Sequence, residues 1–132
     1  MDVSQNLPDE VKMGLQCLNQ GAFYEAHEYF EDAWRQTSDG SREFFRALLH
    51  VSGGFFRLEQ GRAAAAHKFF NRALHWLQNF PNGYLGFDVL TIKRFVENLL
   101  MKINDGTPVE NILEMSQPFI FAVFYSDLTS TS

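Results

Sequence analysis

The sequence predicts an all-α protein: a single domain, built as a bundle of about five to six helices with a central antiparallel helical hairpin. Three observations carry that prediction. Apolar residues recur at three- and four-residue spacing through most of the chain, the period of a helix buried on one face. The period breaks at Gly21, at TSDGS (37–41), at Gly61, at PNGYLG (81–86) and at Gly106, all turn or helix-stop signals. No internal repeat of about 34 to 45 residues is present, so the helices form one bundle and not an array.

The chain has 132 residues, of which 45% are hydrophobic and 14 are Phe, enough to bury a core. A formal net charge of -5, with no basic run to neutralise phosphates, argues against a nucleic-acid partner. Cys17 is the single cysteine, which excludes an intramolecular disulfide and suits a small buried hydrophobe. No apolar run approaches the roughly 18 to 20 residues that span a bilayer, so no membrane partner is expected. The start, MDVSQNLPDEV, has acidic residues and no apolar h-region, which makes the cytoplasm the default location.

Residues 1–6 are polar and expected to fray, and the bundle is expected to occupy 7–115. Pro8 suits the first position of a helix, with Asp9 and Glu10 near its positive end and Gly21 beyond its stop. A second helix is expected from Ala22 to Gln36, a third from Arg42 to Gln60, and a fourth from Arg62 to about Asn79. The short turn at Gly61 makes the third and fourth an antiparallel hairpin. Asp88 can cap a fifth helix reaching Asn104. Thr107 to Glu110 reads as a capping box opening a short sixth helix to about Met115. Residues 116–132 form an apolar tail, expected to lie over the bundle or over a second subunit; no partner strand is evident for 119–125.

The chemistry concentrates on the second helix, in His27, Glu28, Glu31 and Trp34. At 100° per residue His27 shares the inward stripe of Phe23, Phe30 and Trp34, with Glu31 one turn on at its edge. An i,i+4 contact lets Glu31 accept a hydrogen bond from the His27 ring, which would raise the imidazole pKa and fix its tautomer. One reading is a partly buried histidine satisfied by a carboxylate. Another is a divalent metal held by His27 and Glu31, with His50 as a third ligand and Glu28 or Glu31 as general base. The H-E-x-x-H zinc pattern fails as written, because its second histidine is missing.

The third helix offers a facing stripe of Arg46, His50, Gly53 or Gly54, and Arg57. Two adjacent glycines in a helix interior cost about 2 kcal/mol against alanine, and close approach of another helix or of a ligand is the usual reason for them. Asp88 reads first as an N-cap, and its loop could also bring the carboxylate to the site. His75 falls on the solvated face of the fourth helix, and His67 on its flank.

LNQGAFYEAHEYFEDAWR, followed by FFRALLHVSGGFFRLEQG and AAHKFFNRALHWL, resembles the bacterial, archaeal and plant family known as domain of unknown function 309. That family's pattern is an F-N-x-G-x-Y-x-E-A-H-E-x-x-E-x-x-W run, then a helical hairpin ending in an R-G-N turn. The likeness covers about residues 14–100, including the Gly86-Phe87-Asp88 turn. It implies a small all-α bundle, and some members carry the label of predicted metal-dependent hydrolase. His27, Glu28, Glu31 and Trp34 match the motif; His50 replaces a glutamine and Arg62 an asparagine. Three functions follow as expectations. The first is a non-enzymatic interaction module, with a homodimer or another protein as partner. The second is a metal-dependent hydrolase, and the third a small-molecule binder using His27 and His50. The first is preferred, because no complete catalytic constellation is present.

Overall fold

The computed structural model describes residues 7–117. Helices α1 (Asp9–Asn19), α2 (Phe23–Gln36), α3 (Arg42–Glu59), α4 (Ala63–Leu77) and α5 (Val89–Asn104) follow in order, and residues 109–117 form α6. A short 3₁₀ turn, Tyr84–Gly86, precedes α5, and no strand occurs among the described residues. Each of α1 to α5 packs against the next, most extensively α3 on α4 and α2 on α3. The all-α single bundle and its central hairpin are therefore as the sequence predicts.

The tight turns have one design. Gly21 and Gly61 take left-handed backbone at φ 78° and 74°, a region that favours glycine. The next residue then donates back across the helix end, Ala22 N to Cys17 O at 2.9 Å and Arg62 N to Arg57 O at 2.8 Å. These bonds satisfy carbonyls that the helix end would otherwise strand.

At the N-termini one expectation holds and one does not. Asp88 caps α5, its Oδ1 accepting from Thr91 N at 3.1 Å. An Asp88→Ala chain should lose about 1 kcal/mol in chemical denaturation, the usual worth of such a cap; an unchanged midpoint would show that water replaces it. The capping box at Thr107 does not form. Asp105 Oδ1 accepts from both the Thr107 amide (3.0 Å) and the Thr107 hydroxyl (2.5 Å), so that hydroxyl is turned away from α6. The helix also runs past Met115, with Ser116 buried and donating to Ile112 O at 2.6 Å. The rest of the predicted tail, 118–132, and the predicted frayed start, 1–6, lie outside the described residues.

The core is aromatic. Phe30, Phe44, Phe45, Phe55 and Phe70 are fully buried. Phe55 of α3 gathers the bundle, with Phe23 of α2 stacked at 5.0 Å, Phe70 of α4 edge-on at 5.3 Å and Phe95 of α5 at 6.2 Å. The paired glycines of α3 make this closeness possible. A Cβ on Gly54 would sit 2.5 Å from the Phe70 ring, and one on Gly53 would overlap Phe69. The pair thus makes room for rings packed from neighbouring helices, Phe69 and Phe70 of α4 and His27 of α2.

Candidate functional site

Residues 46, 50, 53 and 57 run along one face of α3, flanked by α2 and α4. On α2 the buried line is Phe23, Ala26, Phe30 and Ala33. His27 and Trp34 stand beside that line, half-buried, not on it as the wheel suggested.

His27 reaches the α3 backbone. A Cβ on Gly53 would lie 3.3 Å from His27 Nδ1, so the missing side chain leaves room for the ring. The anticipated His27–Glu31 hydrogen bond is absent among the described residues. Glu31 instead pairs with Arg35 at 3.6 Å, its side chain 34% exposed, and Glu28 is exposed. The wheel places Glu31 equally near both partners, and the guanidinium is a permanent cation that meets it in solvent without being buried. The His27 pKa consequently moves the other way from the expectation: burial lowers it, Glu31 only partly offsets that, and Arg57 adds to the lowering.

His50 sits on the α4 side of the same face, edge-on to Phe69 at 5.8 Å. Burial pushes its pKa down from 6.5 to about 4, the Arg46 backbone resists, and the charges of Arg46, Arg72 and His27 push further down. The neutral ring is therefore the form present at neutral pH. Its Nδ1 is buried and makes no well-formed hydrogen bond among the described residues, the Arg46 backbone one turn back being the polar group that acts on it.

Trp34 carries the second such atom: its Nε1 is also buried and unpartnered. Two guanidiniums cover its ring, Arg42 at 4.5 Å and Arg46 at 5.3 Å. Arg42 Nε also donates to the Trp34 carbonyl at 3.1 Å, tying the start of α3 to the end of α2. Arg46 is shared, lying 4.6 Å from the Trp76 ring of α4, so one side chain spans α2 and α4 across α3. Glu43 is the counter-charge, 3.4 Å from Arg42 and 3.3 Å from Arg46. Arg57 lies over Phe69 at 4.8 Å and has no carboxylate partner among the described residues.

The predicted site residues thus divide. His27, Trp34, Arg46 and His50 come together on the α2–α3–α4 face. Glu28 and Glu31 lie on its outer edge, and Asp88 is engaged at the N-terminus of α5. Among the described residues no three His, Cys, Asp or Glu side chains are grouped so as to hold a metal ion. The candidate ligand set of His27, Glu31 and His50 does not form such a group among the described residues. The flank and solvent positions of His67 and His75 are as expected, half-buried and exposed.

Phe69, Arg72 and Trp76 were not foreseen as part of this face, although a signal for them exists. In an antiparallel hairpin, residues equidistant from the turn face each other. Arg46 and Trp76 lie 15 positions either side of Gly61, His50 and Arg72 lie 11, and Gly53 and Phe69 lie 8. Reflection of the α3 stripe through Gly61 names all three α4 residues.

The comparisons bear on the same segment. Residues 11–69 match the family model described as "Domain of unknown function (DUF309)", a span that begins in α1 and ends within α4. A protein of Aquifex aeolicus (strain VF5), described as "Uncharacterized protein", is 26% identical over 101 residues, which is 76% of this chain. The matched region spans only 30% of that longer protein. The matched residues include His27, Glu28, Glu31, Trp34, Arg46 and His50, and over residues 11–69 this chain is similar to the family described as a domain of unknown function, DUF309.

Proposed function

We propose that this chain is a non-enzymatic binding module whose working surface is the α2–α3–α4 face. One observation carries the reading: two buried ring nitrogens on that face, Trp34 Nε1 and His50 Nδ1, lack hydrogen-bond partners among the described residues. Buried polar atoms are nearly always satisfied, and leaving one unmade costs about 1 to 3 kcal/mol. A pair of such atoms beside three aromatic rings and several guanidiniums suits a surface that is completed by something it binds.

The alternative, a metal-dependent hydrolase with Glu28 or Glu31 as general base, needs ligands that converge. Here Glu31 is paired with Arg35 and Glu28 points to solvent. Metal analysis of protein purified without a histidine tag separates the two readings. The binding module should carry far less than one metal per chain. A stoichiometric metal that disappears in a His27→Ala variant would sink the proposal in favour of the hydrolase.

A further inference from the structure

Resting on the binding-face reading, we infer that the partner is an acidic protein segment laid along α3, with Arg57 at one end and the Arg42–Arg46 pair at the other. Charge is distributed very unevenly along the chain. The α3–α4 hairpin, residues 42–77, holds six Lys and Arg against two Glu, a net charge of +4. The remaining residues hold five against fourteen, a net charge of -9. No Asp or Glu occurs anywhere from residue 60 to residue 87. A chain of net charge -5 thus contains one positive unit, and that unit supplies the α3 floor and the α4 wall of the binding face.

Aromatic rings hold the guanidiniums of α3 in place. Arg46 is 5.3 Å from the Trp34 ring and 4.6 Å from the Trp76 ring. Arg57 is 5.4 Å from the Phe56 ring and 4.8 Å from the Phe69 ring. Attraction to a ring face leaves N–H donors for a carboxylate. Arg57 has no carboxylate among the described residues, while Arg42 and Arg46 share one, Glu43 at 3.4 and 3.3 Å. One positive charge is therefore left at each end. The side chains of Arg42 and Arg46 are 39% and 35% exposed, open to a partner. Arg46 and Arg57 stand eleven residues apart on one face of α3, about three turns and roughly 16 Å along its axis.

Carboxylates about five residues apart on an extended segment span that distance, as do carboxylates about eleven apart on a helix. Recognition of acidic segments by arginine clusters is a recurring mode, and the rings add contact area beneath the segment. The α2 edge carries Glu28 and Glu31 beside His27, so the segment lies toward α4, where Lys68 and Arg72 are exposed. A second copy of this chain fits less well. A two-fold contact through this face would set one +4 hairpin against another.

Both tryptophans of the chain hold Arg46, so indole fluorescence reads one end of the site directly. The test is a fluorescence titration of the full chain with a twelve-residue oligoglutamate at low salt. It should saturate with a dissociation constant on the order of 100 μM and weaken about tenfold or more at high salt. Arg57→Gln should weaken it about tenfold, the worth of one charge-assisted hydrogen bond. Glu43→Gln should tighten it by removing the anion that Arg42 and Arg46 share, which a merely structural role would not do. A titration that does not saturate, or equal affinity in the parent and both variants, would overturn the inference. Oligolysine binding as tightly as oligoglutamate would do the same. A twelve-residue oligothymidylate that binds more tightly would overturn it in favour of a nucleic acid. A dimer in light scattering that high salt and Arg57→Gln both dissociate would overturn it in favour of a second copy. If oligoglutamate fails while His50→Leu still stabilises the chain, the acidic partner falls and the binding face stands; if both fail, both fall.

Discussion

A Phe55→Ala chain is expected to unfold about 3 to 5 kcal/mol more readily than the parent, the range for truncating a buried phenylalanine. Phe55 is fully buried and touches aromatic rings from α2, α4 and α5. Its loss opens a void that those helices cannot close independently, because each is held by its other neighbours. Against a typical total stability of about 5 to 15 kcal/mol, this is a large fraction. Guanidinium denaturation reads it as a lowered midpoint at unchanged slope. A loss under about 1 kcal/mol would show that the ring contacts do not organise the bundle.

The second large effect concerns the paired glycines, and it should divide them. Gly54→Ala places a Cβ 2.5 to 2.8 Å from three ring carbons of Phe70, which is fully buried and has nowhere to go. Overpacking of this kind costs about 1 to 3 kcal/mol or more, and better helix propensity returns about 1 kcal/mol. We expect a net loss of about 2 kcal/mol. Gly53→Ala meets Phe69 and His27, both half-buried and able to swing outward. Its stability should stay within about 1 kcal/mol of the parent, while the signals of His27, His50 and Arg57 move. Equal losses at the two positions would contradict the assignment of Gly54 to the core and Gly53 to the binding face.

Much of the architecture was legible because its determinants are local. Glycine punctuation and the helical period place all six helices, and Asp88 caps α5 as its position implies. The misreadings share a cause: several partners were within reach and the sequence does not rank them. Glu31 stands one turn from both His27 and Arg35, and the arginine has it. Thr107 could close a capping box, yet Asp105, two residues back, holds its hydroxyl. The His27 pKa moves opposite to the expectation because burial outweighs Glu31, which still raises it through its charge without a hydrogen bond to the ring.

The binding face was half legible. Its α3 stripe was read from spacing, and its α4 wall could have been read by reflecting that stripe through Gly61. The unpartnered state of Trp34 Nε1 and His50 Nδ1 could not, because it depends on which backbone carbonyls three helices happen to aim at those rings.

The central claim is that the face carries polar atoms the fold leaves unsatisfied, and the stability of a His50→Leu chain at two pH values tests it most directly. His50 is held near pKa 4 in the folded chain against 6.5 ordinarily, with Arg46, His27 and Arg72 facing it. The unfolded chain therefore takes up the proton first as pH falls. Stability in the parent is full above about pH 6.5 and declines toward about pH 4, and the variant lacks that decline. The account predicts a variant about 1 kcal/mol more stable than the parent at about pH 7, with the gap widening at about pH 4.5. A variant less stable than the parent at both values, by a constant amount, would show that His50 is satisfied within the fold and would contradict the account.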